Sequence, residues 1–200
     1  MKWYLITCFI ALAAFAKAQG GYKVGDAVAD FSLKNVDNKT VAMADYPAAK
    51  GFIVIFTCNT CPVAQAYESR IIALHNKYAP KGYPVIAINP NDPNTQPGDS
   101  FSEMQKRAKT KGYSFAYLED TGNQVADRFG ATRTPHVYII SKEDGKSVIQ
   151  YIGAIDNDTE NANPDKITYA EQAVDALLNG KKPAITFTKA VGCSIKRSRG

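Results

Sequence analysis

Residues 51–57 read Gly-Phe-Ile-Val-Ile-Phe-Thr and are followed at once by Cys58-Asn59-Thr60-Cys61-Pro62. A run of β-branched and aromatic residues without polar alternation is buried on both faces of a sheet, so this segment predicts the central strand. Beyond it, Val63, Ala64, Tyr67, Ile71, Leu74 and Tyr78 recur at helical spacing, with Pro62 tolerated in the first turn and Pro80 and Gly82 ending the run. Two cysteines therefore sit where a buried strand turns into a helix. Such a junction aims unpaired amide donors and the positive end of the helix at the first sulfur, favouring thiolate over thiol. A fall in pKa from about 8.5 to about 7 raises the reactive fraction at neutral pH from roughly 3% to about 50%. Cys58 is the exposed candidate nucleophile. Cys61, one turn in, is expected to be shielded and to resolve a mixed disulfide by attacking Cys58.

The rest of the chain alternates quickly between strand and helix signals. Residues 31–34 and 40–42, joined by Asp37-Asn38-Lys39, predict an N-terminal hairpin. Residues 83–89 predict a second apolar strand, followed by an irregular Pro/Asn/Asp loop over 90–99. Ser100 with Glu103 reads as a capping box for a helix ending near Gly112. Residues 115–118 predict a short strand, and Thr121 with Gln124 caps a shorter helix stopped by Gly130. Residues 137–141 and 147–152 flank Glu143-Asp144-Gly145 as a second hairpin. Thr168 with Glu171 opens a last helix that buries Ala170, Ala173, Val174, Leu177 and Leu178 before Gly180. This order predicts an α/β fold: a mixed central sheet flanked by helices, with an N-terminal hairpin and an insertion after the second core strand. The tail, 181–200, has no helical period and ends basic.

Residues 1–18 have a basic start at Lys2, an apolar run of about 14 residues and a small-x-small ending, Ala16-Lys17-Ala18. This predicts an export signal cleaved after Ala18, and a secreted or periplasmic domain over 19–200. The run falls short of the ~20 residues of a membrane span, so no stable membrane insertion is expected. The net charge of +5 arises from 24 Lys plus Arg against 19 Asp plus Glu, and the excess is scattered, so no nucleic-acid partner is expected. Without Cys8, the cysteines are Cys58, Cys61 and Cys193. Three thiols in an oxidising compartment cannot all pair internally, and a CxxC plus an odd third thiol suggests redox or metal chemistry.

Several segments together carry a family likeness: Thr57-Cys58-Asn59-Thr60-Cys61-Pro62 with Tyr67-Glu68-Ser69-Arg70, Asn91-Asp92, Pro97-Gly98-Asp99-Ser100, Phe129-Gly130-Ala131, Thr134-Pro135 and Gly192-Cys193-Ser194-Ile195-Lys196. On these the chain resembles the thioredoxin-like redoxins, in particular the exported, peroxiredoxin-like group (AhpC/TSA type) that keeps a thioredoxin CxxC. The resemblance implies a thioredoxin-like fold with Pro135 as a cis proline facing the CxxC, and with Thr57 and Thr134 shaping a substrate groove. A proline there lacks an amide donor and leaves neighbouring backbone groups free to pair with an extended peptide. The chain also departs from the family. The position six before the first cysteine, a buried carboxylate in thioredoxins, is Phe52, and the Trp that usually precedes the CxxC is Thr57. Glu68 lies about 10.5 Å along the helix from Cys61 by helix rise and reads as a surface or capping carboxylate. Three before Cys61 stands Cys58, and three before Cys58 stands Ile55, so the peroxidatic Thr-x-x-Cys motif is absent.

Cys193 has three readings: a spare thiol packed under the tail, a third redox thiol brought to the CxxC, where Lys196, Arg197 and Arg199 would supply positive charge, or a disulfide to another chain. His75 reads as a solvated helix residue. His136 reads as a strand-packing residue or as a proton acceptor or soft-metal ligand beside Cys58 and Cys61. Asp156, Asp158 and Glu160 lack the Gly and Glu of a calcium loop and read as a solvated loop. The leading expectation is a thiol-disulfide oxidoreductase acting on protein or small-molecule disulfides through Cys58 and Cys61, with electrons from a thiol partner and no organic cofactor or metal. The alternatives are a thiol peroxidase and a non-enzymatic copper-binding protein.

Overall fold

The computed structural model describes residues 20–197. The expected export signal, residues 1–18, lies outside the described residues. Strands β1 (Ser32–Asn35) and β2 (Thr40–Ala42) form the predicted hairpin, and β3 (Gly51–Phe56) leads into α1 (Pro62–Tyr78). There follow β4 (Val85–Asn89), α2 (Phe101–Lys111), β5 (Ala116–Glu119) and α3 (Gln124–Phe129). Then come β6 (Arg133–Thr134), β7 (His136–Glu143), β8 (Lys146–Gly153), α4 (Tyr169–Leu178) and β9 (Cys193–Ser194). The main sheet has the order β2-β1-β5-β4-β3-β7-β8. Strand β3 pairs parallel with β4, β4 pairs parallel with β5, and the remaining pairs are antiparallel. This is the mixed sheet expected from the sequence, with β3 between β4 and β7.

The pleat of β3 divides the core. Ile53 and Ile55 face α1, α2 and α4, packing with Ile71, Leu74, Met104, Ala108 and Val174. Phe52, Val54 and Phe56 face the other side, against Val125, Ala126 and Phe129 of α3 and Phe31 and Met43 of the N-terminal segment. All five are fully buried, and each such side chain contributes about 1.5–3 kcal/mol relative to exposure. Between β7 and β8 the chain turns in two residues, Asp144 (φ 48°) and Gly145 (φ 76°), the paired left-handed conformation that suits a tight hairpin.

The predicted caps need correction. Ser100 is the N-cap of α2 and Thr168 of α4, but neither side chain bonds a helix amide. Thr121 is separated from α3 by Asn123 in the left-handed region, at φ 60°. The α3 amides bond instead to Asp120, whose carboxylate accepts from Val125 N–H (3.1 Å) and Ala126 N–H (2.8 Å).

The aperiodic tail lies across the fold. Thr188 N–H donates to the Ile152 carbonyl (3.0 Å), and its hydroxyl lies 2.6 Å from Tyr151 Oη. Strand β9 pairs antiparallel with β6, opposing Arg133 to Ser194 and Thr134 to Cys193. Ile195 is buried in the layer that holds Phe56.

Candidate active site

Strand β3 ends at Phe56, and the backbone of Thr57 donates to the Ile88 carbonyl (2.9 Å), so the next residues leave the sheet at the sheet's carboxyl edge. Thr57 is buried there. Cys61 is the N-cap of α1, with Pro62 opening the helix. Opposite this turn, the Thr134–Pro135 peptide bond is cis, as the resemblance implies. Thr134 is fully buried between the two cysteines. Its hydroxyl lies 3.2 Å from Cys58 Sγ, and its carbonyl oxygen lies 3.3 Å from Cys61 Sγ.

Two expectations about the cysteines change. Cys61 is disulfide-bonded to Cys193, with Cα atoms 5.9 Å apart, and Cys58 is the free thiol, so Cys193 is not a spare thiol under the tail. The physical reason is the β6–β9 pairing, which sets Cys193 opposite Thr134, whose carbonyl lies beside Cys61 Sγ. Cys58 is also not exposed: only 3% of its surface is accessible, within a cluster that includes Cys61 and Ala64, with Val63 and Cys193 packed against it. Burial therefore pushes its thiol pKa up, and the charge of Asp99 adds to the rise. The Thr134 hydroxyl and the backbone amides of Cys61 and Thr60 act in the opposite direction, but they are outweighed. In this covered state Cys58 is held as a thiol.

Asp99 is a site residue with no assigned role in the sequence reading. It is 1% exposed, and its carboxylate accepts from Asn59 N–H (2.6 Å), the Thr60 hydroxyl (2.7 Å) and Asn91 Nδ2 (2.7 Å). Asn59 Nδ2 donates to the Gly98 carbonyl (2.9 Å), and Tyr117 Oη donates to Asn59 Oδ1 (2.9 Å). Gly98 lets the loop come this close, since a Cβ there would stand 2.7 Å from the Thr60 methyl. Both residues between the cysteines are thus clamped by the insertion after β4. The same insertion holds the tail: Asn91 Oδ1 accepts from Lys196 N–H (2.8 Å), and Asp92 N–H donates to the Lys196 carbonyl (2.7 Å).

Other candidates fall elsewhere. His136 is buried at the start of β7 opposite Phe56, with its ring against Tyr138 (4.8 Å between centroids), which is the strand-packing reading. Burial lowers its pKa to about 4. Among the described residues no group of three or more His, Cys, Asp or Glu is arranged to hold a metal ion. His75 is half-buried rather than solvated; its Nδ1 accepts the Val85 N–H (3.3 Å) and its ring tilts against Phe115. Glu68 is buried rather than on the surface, bonded to Arg107, Lys111 (3.1 Å) and the Tyr113 hydroxyl (2.9 Å), which ties α1 to α2. Asp156 is also buried, pairing with Arg70 (2.7 Å) and the Tyr67 hydroxyl (2.9 Å).

The chain is similar to proteins of known sequence and structure. The chain is 28% identical to a hypothetical protein from Sinorhizobium meliloti 1021 of known crystal structure, with a TM-score of 0.82 over 90% of this chain and 98% of that one. It is 26% identical over 140 residues to the chloroplastic peroxiredoxin Q of Triticum aestivum, a match covering 66% of this chain and 59% of the wheat protein. It is 23% identical over 133 residues to the thiol-disulfide oxidoreductase ResA of Geobacillus thermodenitrificans strain NG80-2, covering 65% of this chain and 70% of that protein. The AhpC/TSA family model matches residues 24–152, from ahead of the first hairpin to the end of β8, and so spans the sheet, the cysteine turn and the cis proline: the chain belongs to the AhpC/TSA family.

Proposed function

We propose that this protein is an exported thiol-disulfide oxidoreductase working through Cys58 and Cys61. The observation that carries this reading is that the Cys58 thiol and the Cys61 sulfur both flank Thr134, one residue before the cis Pro135. The likeness to ResA supports it. In the reaction, Cys58 as thiolate attacks a disulfide of a protein or small molecule, forming a mixed disulfide and releasing one substrate thiol. Cys61 then attacks Cys58, releasing the second substrate thiol and leaving the enzyme oxidised. A thiol partner returns the two electrons. The amides of Thr60 and Cys61 are the groups that stabilise the Cys58 thiolate once it is solvated.

The test is incubation of the fully reduced protein with a peptide disulfide, counting released thiols and mapping the enzyme's own cysteines. Stoichiometric reduction, lost in Cys58→Ser and stalled as a mixed disulfide in Cys61→Ser, is expected. No transfer to the peptide overturns the reading.

The likeness to peroxiredoxin Q favours a second reading, thiol peroxidase. It requires that peroxide oxidise the reduced protein at Cys58 far faster than it oxidises a free thiol. The absence of a Thr three positions before either Cys58 or Cys61, where Ile55 and Cys58 stand, argues against it.

A further inference from the structure

The tail segment 189–194 is a strap anchored at both ends and little buried in between. Ahead of it, residues 186–188 bond to Ile152. Behind it, Ile195 is buried, Lys196 is gripped by Asn91 and Asp92, and Arg197 pairs with Asp127 (2.7 Å). Between these anchors no residue is buried, and Val191 is 52% exposed. The strap meets the body through a two-residue ladder with β6, through Arg133, which donates to the Gly192 carbonyl (3.4 Å) and the Ser194 hydroxyl (3.0 Å), and through the Cys61–Cys193 bond. It lies directly over the turn: Cys193 packs against Cys58 and Cys61, and a Cβ on Gly192 would stand 2.1 Å from the Thr134 carbonyl oxygen. It therefore occupies, from within the same chain, the backbone edge beside the cis proline.

We propose that Cys193 is a third redox thiol and that the strap is a cover opened by disulfide exchange inside the site. Cys58, as thiolate, bonds to Cys61 Sγ while the Cys61–Cys193 bond breaks, and the electron pair leaves on Cys193 sulfur. That sulfur takes up the proton Cys58 gave away, so one disulfide replaces another and no oxidant or reductant is consumed. Released, residues 189–194 are held only by the two-residue ladder and the Arg133 side chain, and the edge of Thr134 becomes open to an extended polypeptide. The reverse exchange closes the strap over a protected Cys58 thiol. Free Cys58 and the bonded Cys61 are three residues apart in one turn, against the same threonine, which is the proximity this step requires.

The inference rests on the oxidoreductase reading and is separable from it by experiment. Trypsin leaves Cys58 and Cys61 together in peptide 51–70 and Cys193 in peptide 190–196. The covered linkage joins two peptides, and the open linkage stays within one. The oxidised wild-type protein is raised from pH 6 to pH 9, quenched with acid at intervals, alkylated and mapped. Both linkages are expected, with the one inside peptide 51–70 growing after the jump. Cys58→Ser should hold only the two-peptide linkage. Cys193→Ser, whose strap carries no cross-link, should when reduced alkylate at Cys58 about tenfold faster than the covered, oxidised wild-type protein. A single unchanging linkage in a wild-type protein that still reduces peptide disulfides overturns the strap exchange alone. Failure both to exchange internally and to act on the peptide overturns both readings. The wild-type pH jump decides the matter even if a variant does not fold.

Discussion

Asp99 and Asn59 are 40 residues apart in the chain, yet the Asp99 carboxylate takes the Asn59 backbone N–H at 2.6 Å and with it sets the path of the residues between the two cysteines. A carboxylate that acts on Cys58 thus comes from the insertion after β4, whereas the position six before Cys58 is occupied by fully buried Phe52.

Asp99→Ala leaves the donors of Asn59, Thr60 and Asn91 without their acceptor. A loss of roughly 2–3 kcal/mol in urea unfolding is expected, the cost of stranding buried donors of a charge-assisted network. Asp99→Asn keeps the shape and removes the negative charge, so the Cys58 pKa should fall; iodoacetamide rates against pH in the reduced protein read this out.

Gly192→Ala drives a methyl into the Thr134 carbonyl oxygen, 2.1 Å from the ideal Cβ position. The strap cannot keep its place, so the Cys61–Cys193 linkage should become a minor species and Cys58 should alkylate faster. Tryptic mapping under non-reducing conditions measures the first and pulsed alkylation the second.

His136 carries a pH dependence with a definite sign. Its folded pKa, lowered by burial to about 4, lies below the ordinary histidine value, so protonation favours the unfolded chain. Its contribution is fully present above about pH 6.5 and is lost as pH falls towards 4, at up to about 1.4 kcal/mol per pH unit. His136→Phe should flatten urea-unfolding free energies measured across that window.

Glu68 has the carboxylate form of the same linkage. Burial alone would raise its pKa, but bonds from Arg107, Tyr113 and Lys111 pull it below the usual value. Its stabilising effect is present above about pH 4.3 and is lost as pH falls through its lowered folded pKa. Arg107→Ala should cost roughly 1–3 kcal/mol at pH 7, less than a fully buried pair because Lys111 remains and the site is partly solvated. A double-mutant cycle with Glu68→Gln measures the coupling.

The central strand and the helix after it were legible because every residue of β3 is buried, so the unbroken apolar run reports its position without ambiguity. The β7–β8 turn was legible from Asp144-Gly145, where backbone conformation restricts residue choice. The state of the cysteines was not. Cys193, which packs against Cys58, lies more than a hundred residues later, and the β6–β9 ladder that brings it there is too short to leave a periodic signal. Glu68 and Asp156 read as surface groups because their cations, Arg107 and Arg70, come from other elements. Asp99 sits in a run of Pro, Asn and Asp that turn chemistry alone explains, so its carboxylate looked local when its partners are not.

The chain is made from its N-terminus, so the sheet from β1 to β8 and the cysteine turn at 58–61 can all exist before residue 193 is synthesised. The cross-link between Cys61 and Cys193 spans 132 residues and must be the last to form. A nascent molecule therefore passes through an interval in which its two proximal cysteines have only each other. Synthesis of the segment that carries Cys193 ends that interval and times the site's first closure.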